Sequence, residues 1–309
     1  MELSTVSETK NERCVLIMDM RKFNAYGRGG IAQYSQPQIY ELAGKKFEFV
    51  MDDGIDYTLS FIDKETVEWN FEGQAPQRAS GYLCNKADDT TYLVSYELAN
   101  TEKRSNHTWV IDLENQLVTR IISVIGENPK LPYLIVPKYE FGAIKSDGAD
   151  VPVYPRHGFT IDLVGTAVEW AYGGMTTVHL YNHTNTYRIT YPSEMAASAS
   201  FNETLSKLPS PDEPANFIKI KEGVYLFNLV ESNAERVLKG NGFIFRSNSM
   251  AFLQNYKRVF TIGRAFGTTT PDGKENHLHL TFAAFGKLID VEGDKRIAGL
   301  MDEPNPYVV

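Results

Sequence analysis

The feature that most constrains the fold of this chain is an internal repeat. Residues 42–61 read LAGKKFEFVMDDGIDYTLSF, and residues 163–182 read LVGTAVEWAYGGMTTVHLYN. Overlaid without a gap, the two stretches share four identical positions, at Leu42/Leu163, Gly44/Gly165, Glu48/Glu169 and Leu59/Leu180. A chain that carries the same segment twice is expected to fold as two similar units.

Both copies alternate between apolar and polar residues, as half-buried β-strands do. A turn signal, Asp-Asp-Gly in the first copy and Gly-Gly in the second, interrupts each alternation. Such a pattern predicts a β-hairpin in each copy. The residues expected on one face are Phe47, Phe49, Met51, Ile55, Tyr57, Leu59 and Phe61 in the first copy, and Val168, Trp170, Tyr172, Val178 and Leu180 in the second.

The repeat extends beyond these hairpins. Residues 90–98 correspond to 223–231, and residues 107–124 correspond to the stretch 242–260. The offset between the copies grows from 121 residues at Gly44/Gly165 to 133 at Tyr92/Tyr225, and the extra residues fall within 191–216. We expect a long loop there with a short helix around residues 194–200, either as a functional lid or as a neutral surface insertion.

Apart from that loop, short strands separated by Gly, Asn, Asp and Pro predict an all-β fold of the sandwich or barrel kind. A unit of about 120 residues with seven to nine strands can close a small barrel around a ligand-sized cavity. The predicted organisation is an N-terminal lead-in at 1–38, a first barrel at 39–150, a second barrel at 156–293 and a C-terminal tail at 294–309.

Composition excludes several classes of protein. The net charge of −8 and the pI near 5.4 argue against nucleic acid as a partner, because phosphate binding needs a basic surface. Two cysteines cannot build a disulfide framework. The polar N-terminal residues do not resemble a secretory signal, and no apolar run is long enough to span a membrane. We therefore expect a cytoplasmic protein with no membrane partner.

Short motifs in the second unit carry a family resemblance. They are Gly165, Trp170-Ala-Tyr172, Gly173-Gly174, Tyr187-Arg188-Ile189 and Gly223-Val-Tyr225 followed by Glu231. In these residues the unit resembles the phenolic acid decarboxylases, which are small lipocalin-like (calycin) barrels. The tandem pair as a whole resembles the MoaF family, and VYLFNLVE at 224–231 is similar to a strand of the MoaF C-terminal domain. The resemblance covers roughly residues 40–290 and implies two tandem lipocalin-like antiparallel barrels, the first MoaF N-terminal-like and the second MoaF C-terminal-like.

The resemblance also implies site residues in the second unit. The two pocket tyrosines of the decarboxylases correspond to Trp170 and Tyr172, and their catalytic glutamate corresponds to Glu231. The pocket arginine has no counterpart in this unit, because the Ser- and Ala-rich insertion occupies its place.

In the first unit, the same positions hold different residues. Phe49 and Met51 stand for the two tyrosines, and Leu98 stands for the glutamate. Arg78, five positions after Gly73, matches the pocket arginine. Because neither unit holds the full set, the resemblance does not imply simple decarboxylation of hydroxycinnamates.

A barrel interior with a carboxylate and phenols can transfer protons without a cofactor. Burial raises a carboxyl pKa towards neutrality, so Glu231 could act as both acid and base. Tyr172 or Tyr187 could donate a hydrogen bond to a substrate oxygen and stabilise developing charge. Trp170 would stack on a flat substrate, and Arg78 would clamp a carboxylate. The other candidate substrate-binding residues are Val178, Phe49 and Tyr57.

The structural alternative stays open for each of these residues. Trp170 and Tyr172 could be core residues of a filled barrel, and Glu231 could cap a strand end in solvent. Arg78 lies in a loop-like run where arginine is usually solvated.

No metal site is expected. His277 and His279 would face the same way on a strand, but a third ligand in register is not evident, and we interpret them as a surface or rim pair. His179 and His183 are spaced too loosely for a metal site.

Two functions follow from these residues. The first is a cofactor-independent lyase, isomerase or cyclase acting on a small aromatic or unsaturated carbonyl compound in the second barrel, with the first barrel as a supporting copy. The alternative is a non-catalytic calycin-type protein that binds an apolar small molecule. A third function, in molybdopterin metabolism, is suggested only by the MoaF family name. Each has a small molecule as partner, and homodimer formation is left open.

Overall fold

All regular structure in the described part of the chain is β-strand. The computed structural model describes residues 31–71, 73–98, 101–127, 134–145, 151, 155–173, 176–190, 212–231, 245–269, 276–295, 297 and 299. Within these residues, eighteen strands form two antiparallel sheets of nine strands each. This architecture confirms the predicted all-β fold of two tandem units.

The strands of the first sheet are β1 (Lys46–Met51), β2 (Asp56–Phe61), β3 (Thr66–Phe71), β4 (Gln77–Ser80), β5 (Leu83–Lys86), β6 (Thr91–Glu97), β7 (Ser105–Asp112), β8 (Leu117–Val124) and β9 (Lys138–Lys145). The strands of the second sheet are β10 (Gly158–Phe159), β11 (Ala167–Ala171), β12 (Thr176–Leu180), β13 (Thr186–Thr190), β14 (Asp212–Lys221), β15 (Val224–Val230), β16 (Phe245–Asn255), β17 (Phe260–Thr269) and β18 (Asn276–Ile289).

The second sheet closes into a barrel. Strands β11 to β18 form a ring, because β14 pairs with β13 through Arg188↔Asp212 and also with β15 through Asn216↔Asn228. The short β10 adds to the outer side of this ring, beside β14. Closure leaves no unpaired edge among the eight strands of the ring.

The first sheet is curled but open. Its order is β4-β3-β2-β1-β9-β8-β7-β6-β5, so β4 and β5 are its two edges although only two residues separate them in the chain. Gly81, in the left-handed region at φ 75°, bends the chain between them. Ala79 of β4 and Cys84 of β5 nevertheless face the same core. The continuous β14 of the second unit therefore corresponds to the broken pair β4–β5 of the first.

Both predicted hairpins are present. Strand β1 pairs with β2 in the register Phe49↔Tyr57, and β11 pairs with β12 in the register Trp170↔Thr177. The repeated glycines precede both hairpins in the left-handed region, at φ 80° for Gly44 and 85° for Gly165.

Each unit has its own aromatic core, and a third apolar cluster lies between the units. Leu93 and Val110 of the first sheet pack in this cluster with Leu226 and Leu253 of the second. Full burial of such a side chain contributes roughly 1.5–3 kcal/mol. The outer faces of the two sheets are therefore packed against each other.

Polar contacts also cross the boundary between the units. Arg264 donates from Nε to the Thr108 hydroxyl at 2.7 Å, and the Nδ2 atoms of Asn216 and Asn228 donate to the Tyr139 hydroxyl at 3.1 and 3.0 Å. Because Arg264 is fully buried, these hydrogen bonds fix the relative position of the two sheets more sharply than apolar packing alone.

The described end of the lead-in contacts both units. Ile31 packs in the core of the second barrel, and the Ser35 hydroxyl donates to the Thr281 carbonyl at 2.7 Å. Gln38 then reaches the first unit, where its Nε2 donates to the Tyr82 carbonyl at 3.0 Å. This segment therefore lies along the two units.

The predicted loop at 191–216 is shorter than expected at its C-terminal end. Residues 212–216 belong to β14, where Asp212 and Glu213 are buried, so this part of the loop prediction is wrong. The helix expected around residues 194–200 lies outside the described residues.

Candidate functional site

The interior of the second barrel holds a carboxylate at one end. Tyr225, Phe227 and Leu229 of β15 point into the core, and Glu231 follows in the same alternation one residue beyond the strand. The Glu231 backbone N–H donates to the Asn248 carbonyl at 2.9 Å, which continues the β15–β16 ladder. The Asn248 side chain in turn donates from Nδ2 to Glu231 Oε2 at 3.2 Å, so the carboxylate is held in place from β16.

Tyr172 lies at the same end of the barrel, directly after β11. Its side chain is buried, and burial is the main cause that raises its pKa far above the usual range of a phenol. A contact with Thr177 lowers the pKa, and the charge of the Glu231 carboxylate raises it further. Tyr172 is therefore a permanent hydrogen-bond donor within electrostatic reach of Glu231.

Aromatic side chains form the wall around this pair. Trp170 is fully buried, and its strand partner across the ladder is Gly286 of β18. A Cβ atom at Gly286 would stand 2.6 Å from the indole ring, so only glycine leaves space for Trp170 there. The indole Nε1 lies near the Tyr181 hydroxyl but makes no hydrogen bond of standard geometry.

His179 is an interior residue that the sequence analysis did not select. Its ring lies 5.2 Å from the ring of Tyr187, 5.7 Å from Phe227 and 5.4 Å from Phe252, and its Nδ1 has no hydrogen-bond partner. Burial lowers the pKa of His179 to about 3. The imidazole is therefore neutral at physiological pH, and it adds hydrogen-bonding capacity to the interior without adding charge.

The prediction for Val178 is wrong in its placement. Val178 is buried outside the barrel, in a cluster with Leu180 and Ile297, while Thr177 and His179 take the inward positions of β12. Because side chains alternate along a strand, a shift of one residue exchanges the two faces. Val178 cannot line the interior, and Thr177 and His179 replace it.

The remaining candidates fall in different places. Tyr187 is buried in the core of the second barrel, next to His179. Phe49 and Tyr57 are buried in the core of the first unit, away from Glu231. Arg78 is exposed on β4, where its Nε donates to Glu68 at 2.7 Å, so it does not reach either core. Four of the candidates therefore lie in the interior of the second barrel, namely Glu231, Tyr172, Trp170 and Tyr187. The other candidates lie outside this interior.

The histidine pair of β18 lies on the outer face of the barrel. His277 is exposed, and the His279 Nε2 is 3.0 Å from the Ser95 hydroxyl of the first unit. Among the described residues, no group of three or more His, Cys, Asp or Glu side chains could hold a metal ion. The described residues also contain no helix long and apolar enough to cross a membrane.

The buried histidine gives a prediction on pH dependence. Below pH 6.5, the unfolded chain protonates His179 whereas the folded protein does not until about pH 3, so stability is lost as the pH falls through this window. At pH 4.5 the loss from His179 is roughly 3 kcal/mol. Urea denaturation at pH 8 and at pH 4.5 should show a smaller pH-dependent loss for His179→Phe than for the wild type. Equal losses in the two proteins would contradict a neutral, buried His179.

Fold and site together define the class of protein. It is a tandem of antiparallel calycin-like β units, of which the second is a closed barrel lined by aromatic rings and bordered by a carboxylate. Residues 21–127, which cover much of the first unit and part of its lead-in, match the family model of the MoaF N-terminal domain. The predicted resemblance to the MoaF family is therefore confirmed over this part of the chain. No curated protein matches the chain significantly.

Proposed function

We propose that the protein is a cofactor-independent lyase, isomerase or cyclase that moves protons on a small aromatic or unsaturated carbonyl compound in the second barrel. The observation that supports this function is that Glu231 and Tyr172 lie within electrostatic reach of each other at one interior end of that barrel. A half-buried carboxylate and a buried phenol that share one end of an interior are suited to general acid–base chemistry.

In the proposed reaction, the Glu231 carboxylate takes a proton from a carbon atom next to the substrate carbonyl. The Tyr172 hydroxyl donates a hydrogen bond to the carbonyl oxygen, where negative charge develops. Glu231 then returns the proton to another substrate atom, so that bonds move and no electrons are gained or lost. Trp170 and Tyr187 stack against the flat substrate and exclude water.

A second candidate function is a non-catalytic binding protein for an apolar small molecule. The observation that favours it is the part of the interior around His179, which is lined by aromatic rings. His179 itself carries no charge at physiological pH. Such an interior binds apolar rings whether or not chemistry follows.

Deuterium exchange distinguishes the two functions. Wild-type protein incubated in D₂O with a panel of aromatic acids and enones should introduce deuterium next to the carbonyl of at least one compound. Tyr172→Phe should slow this exchange about 100-fold, because it removes the donor to the developing oxyanion. Tyr225→Phe is the matched control, since its hydroxyl donates to the exposed Asp162 near the start of β15, at the opposite end of this strand from Glu231.

The binding function is favoured if a compound binds tightly and no proton of it ever exchanges. If Tyr172→Phe exchanges as fast as Tyr225→Phe, the proposed role of Tyr172 is wrong.

A further inference from the structure

The first unit contains a buried arginine with unused hydrogen-bond donors. Arg120 of β8 is only 2% exposed. Its Nη2 donates to the Tyr57 hydroxyl and forms an ion pair with Glu140. Its Nε and Nη1 have no hydrogen-bond partner. Since a guanidinium has five N–H groups and these two nitrogens carry three of them, most of its donor capacity is unused.

The other two fully buried arginines in the described residues do not share this property. Arg264 donates from all three of its nitrogens, to Thr108, Ser249 and Ser123. Arg188 donates to both carboxylate oxygens of Asp212. Buried polar groups in folded proteins are almost always paired, so the unpaired nitrogens of Arg120 call for a ligand or water.

Aromatic rings of the first core surround the guanidinium. Its central carbon lies 4.0 Å from the centroid of the Tyr57 ring, 5.2 Å from that of Trp109 and 6.0 Å from that of Phe71. These rings hold the cation through their faces and leave its N–H groups to point along the plane of the guanidinium. Flat apolar walls beside a cation suit a small organic anion better than a hydrated inorganic one.

The ionisable groups near Arg120 restrict the charge of that anion. Glu140 already balances one positive charge from the rim of the unit, where its side chain is 22% exposed. His107, packed against Trp109 and Tyr96, is neutral because burial, and then the Arg120 charge, keep its pKa well below the usual range. Tyr57 and Tyr96 are uncharged phenols whose pKa burial raises. Because the one cation is already shared with Glu140, a monoanion is balanced when it displaces Glu140 or when Glu140 takes up a proton, whereas a phosphate dianion exceeds the charge of the site in either case.

We propose that the first unit binds a small aromatic carboxylate, with Arg120 Nε and Nη1 donating to its oxygens and Tyr57, Phe71 and Trp109 flanking its ring. Glu140 competes with the ligand for the guanidinium. Burial raises the pKa of the Glu140 carboxyl, so proton uptake by Glu140 can relieve this competition. The site does not depend on the proposed function, because all of its residues lie in the other unit.

The chain offers a reporter for this site. Of its three tryptophans, Trp69 and Trp109 lie in the first core and Trp170 lies in the second. In a Trp170→Phe protein, the intrinsic fluorescence therefore reports on the first unit alone. Titration with benzoate should give a saturable fluorescence change, with a dissociation constant matched by calorimetry.

Three variants in that background test the assignment. Arg120→Gln should weaken benzoate binding at least about tenfold, and Glu140→Gln should strengthen it about tenfold by removing the competitor. Arg78→Gln, an exposed arginine of the same unit, should change nothing.

The proposal is overturned if benzoate causes no saturable change in the Trp170→Phe protein, or if folded Arg120→Gln binds it with unchanged affinity. If Arg120→Gln does not fold, Glu140→Gln decides, and unchanged or weaker binding then overturns the proposal.

Discussion

Replacing Asp212 with alanine is expected to destabilise the protein by about 3–5 kcal/mol, because the change leaves a buried arginine without its counter-ion. Asp212 and Arg188 are almost fully buried, and Arg188 donates to both carboxylate oxygens, with the Nη2–Oδ2 distance at 3.2 Å. Asn182 donates a further hydrogen bond to Asp212 at 3.1 Å. Arg188 faces away from its neighbour Tyr187, which lies in the barrel core, because successive side chains of a strand point to opposite faces.

Urea denaturation at neutral pH measures this effect. Glu68→Ala is the matched control, because its ion pair with Arg78 is open to solvent, with Arg78 exposed and Glu68 partly exposed. It should cost only a small fraction of the Asp212→Ala effect. The double replacement Arg188→Met with Asp212→Leu should recover most of the lost stability, since it removes both charges and keeps the volume. If Asp212→Ala is no less stable than Glu68→Ala, the pair is not buried as the structure shows.

The fold was predictable because apolar and polar residues alternate with a period of two along the strands, and because this pattern occurs in two copies. Phe49 and Trp170 mark the inner face of β1 and β11 in both copies, as expected. The open edge of the first sheet was not predictable, since it depends on the bend at Gly81 between β4 and β5. Nothing in the alternating pattern distinguishes one continuous strand from two short ones.

The error at Val178 has one cause. Gly44 N–H donates to the Phe61 carbonyl at 2.6 Å, and Gly165 N–H donates to the Tyr181 carbonyl at 2.8 Å, so these two pairs are equivalent. Phe61 follows Gly44 by 17 residues in the first copy, whereas Tyr181 follows Gly165 by 16 residues in the second. The second hairpin is therefore one residue shorter, and a gapless overlay assigns the faces of β12 in reverse.

That reversal explains why the sequence analysis missed His179. The true counterpart of Leu59 is His179, and the identity of Leu59 with Leu180 is fortuitous. Alignment of the first strands of two hairpins does not determine the register of their second strands, because that register depends on the length of the turn.

Arg120 shows a different limit of the sequence. Motif spacing selected Arg78, which the structure places on the surface, whereas Arg120 shares its strand face with the core residue Val118. The period of two along β8 was the signal that could have found it. However, the burial of a charged residue depends on the tertiary structure. The alternation along a strand does not show which charged side chains have an ion-pair partner.

The substitution Glu231→Gln is expected to lower turnover by about 10²–10⁴-fold while changing ligand affinity little. The amide keeps the size of the carboxylate, and its oxygen can still accept the hydrogen bond from Asn248 Nδ2. It cannot take up a proton at neutral pH, so the step assigned to Glu231 is lost. Single-turnover kinetics and calorimetry with one compound from the exchange panel separate the two effects.

Glu222→Gln is the matched control for this prediction. Glu222 lies in the turn between β14 and β15 of the same barrel, and its side chain is 82% exposed. The control should keep both turnover and affinity, because its carboxylate faces solvent. If Glu231→Gln turns over as fast as Glu222→Gln, Glu231 is not the acid–base group. If it instead loses affinity and turnover in equal measure, Glu231 contributes to binding, and the chemistry belongs to other residues of the barrel.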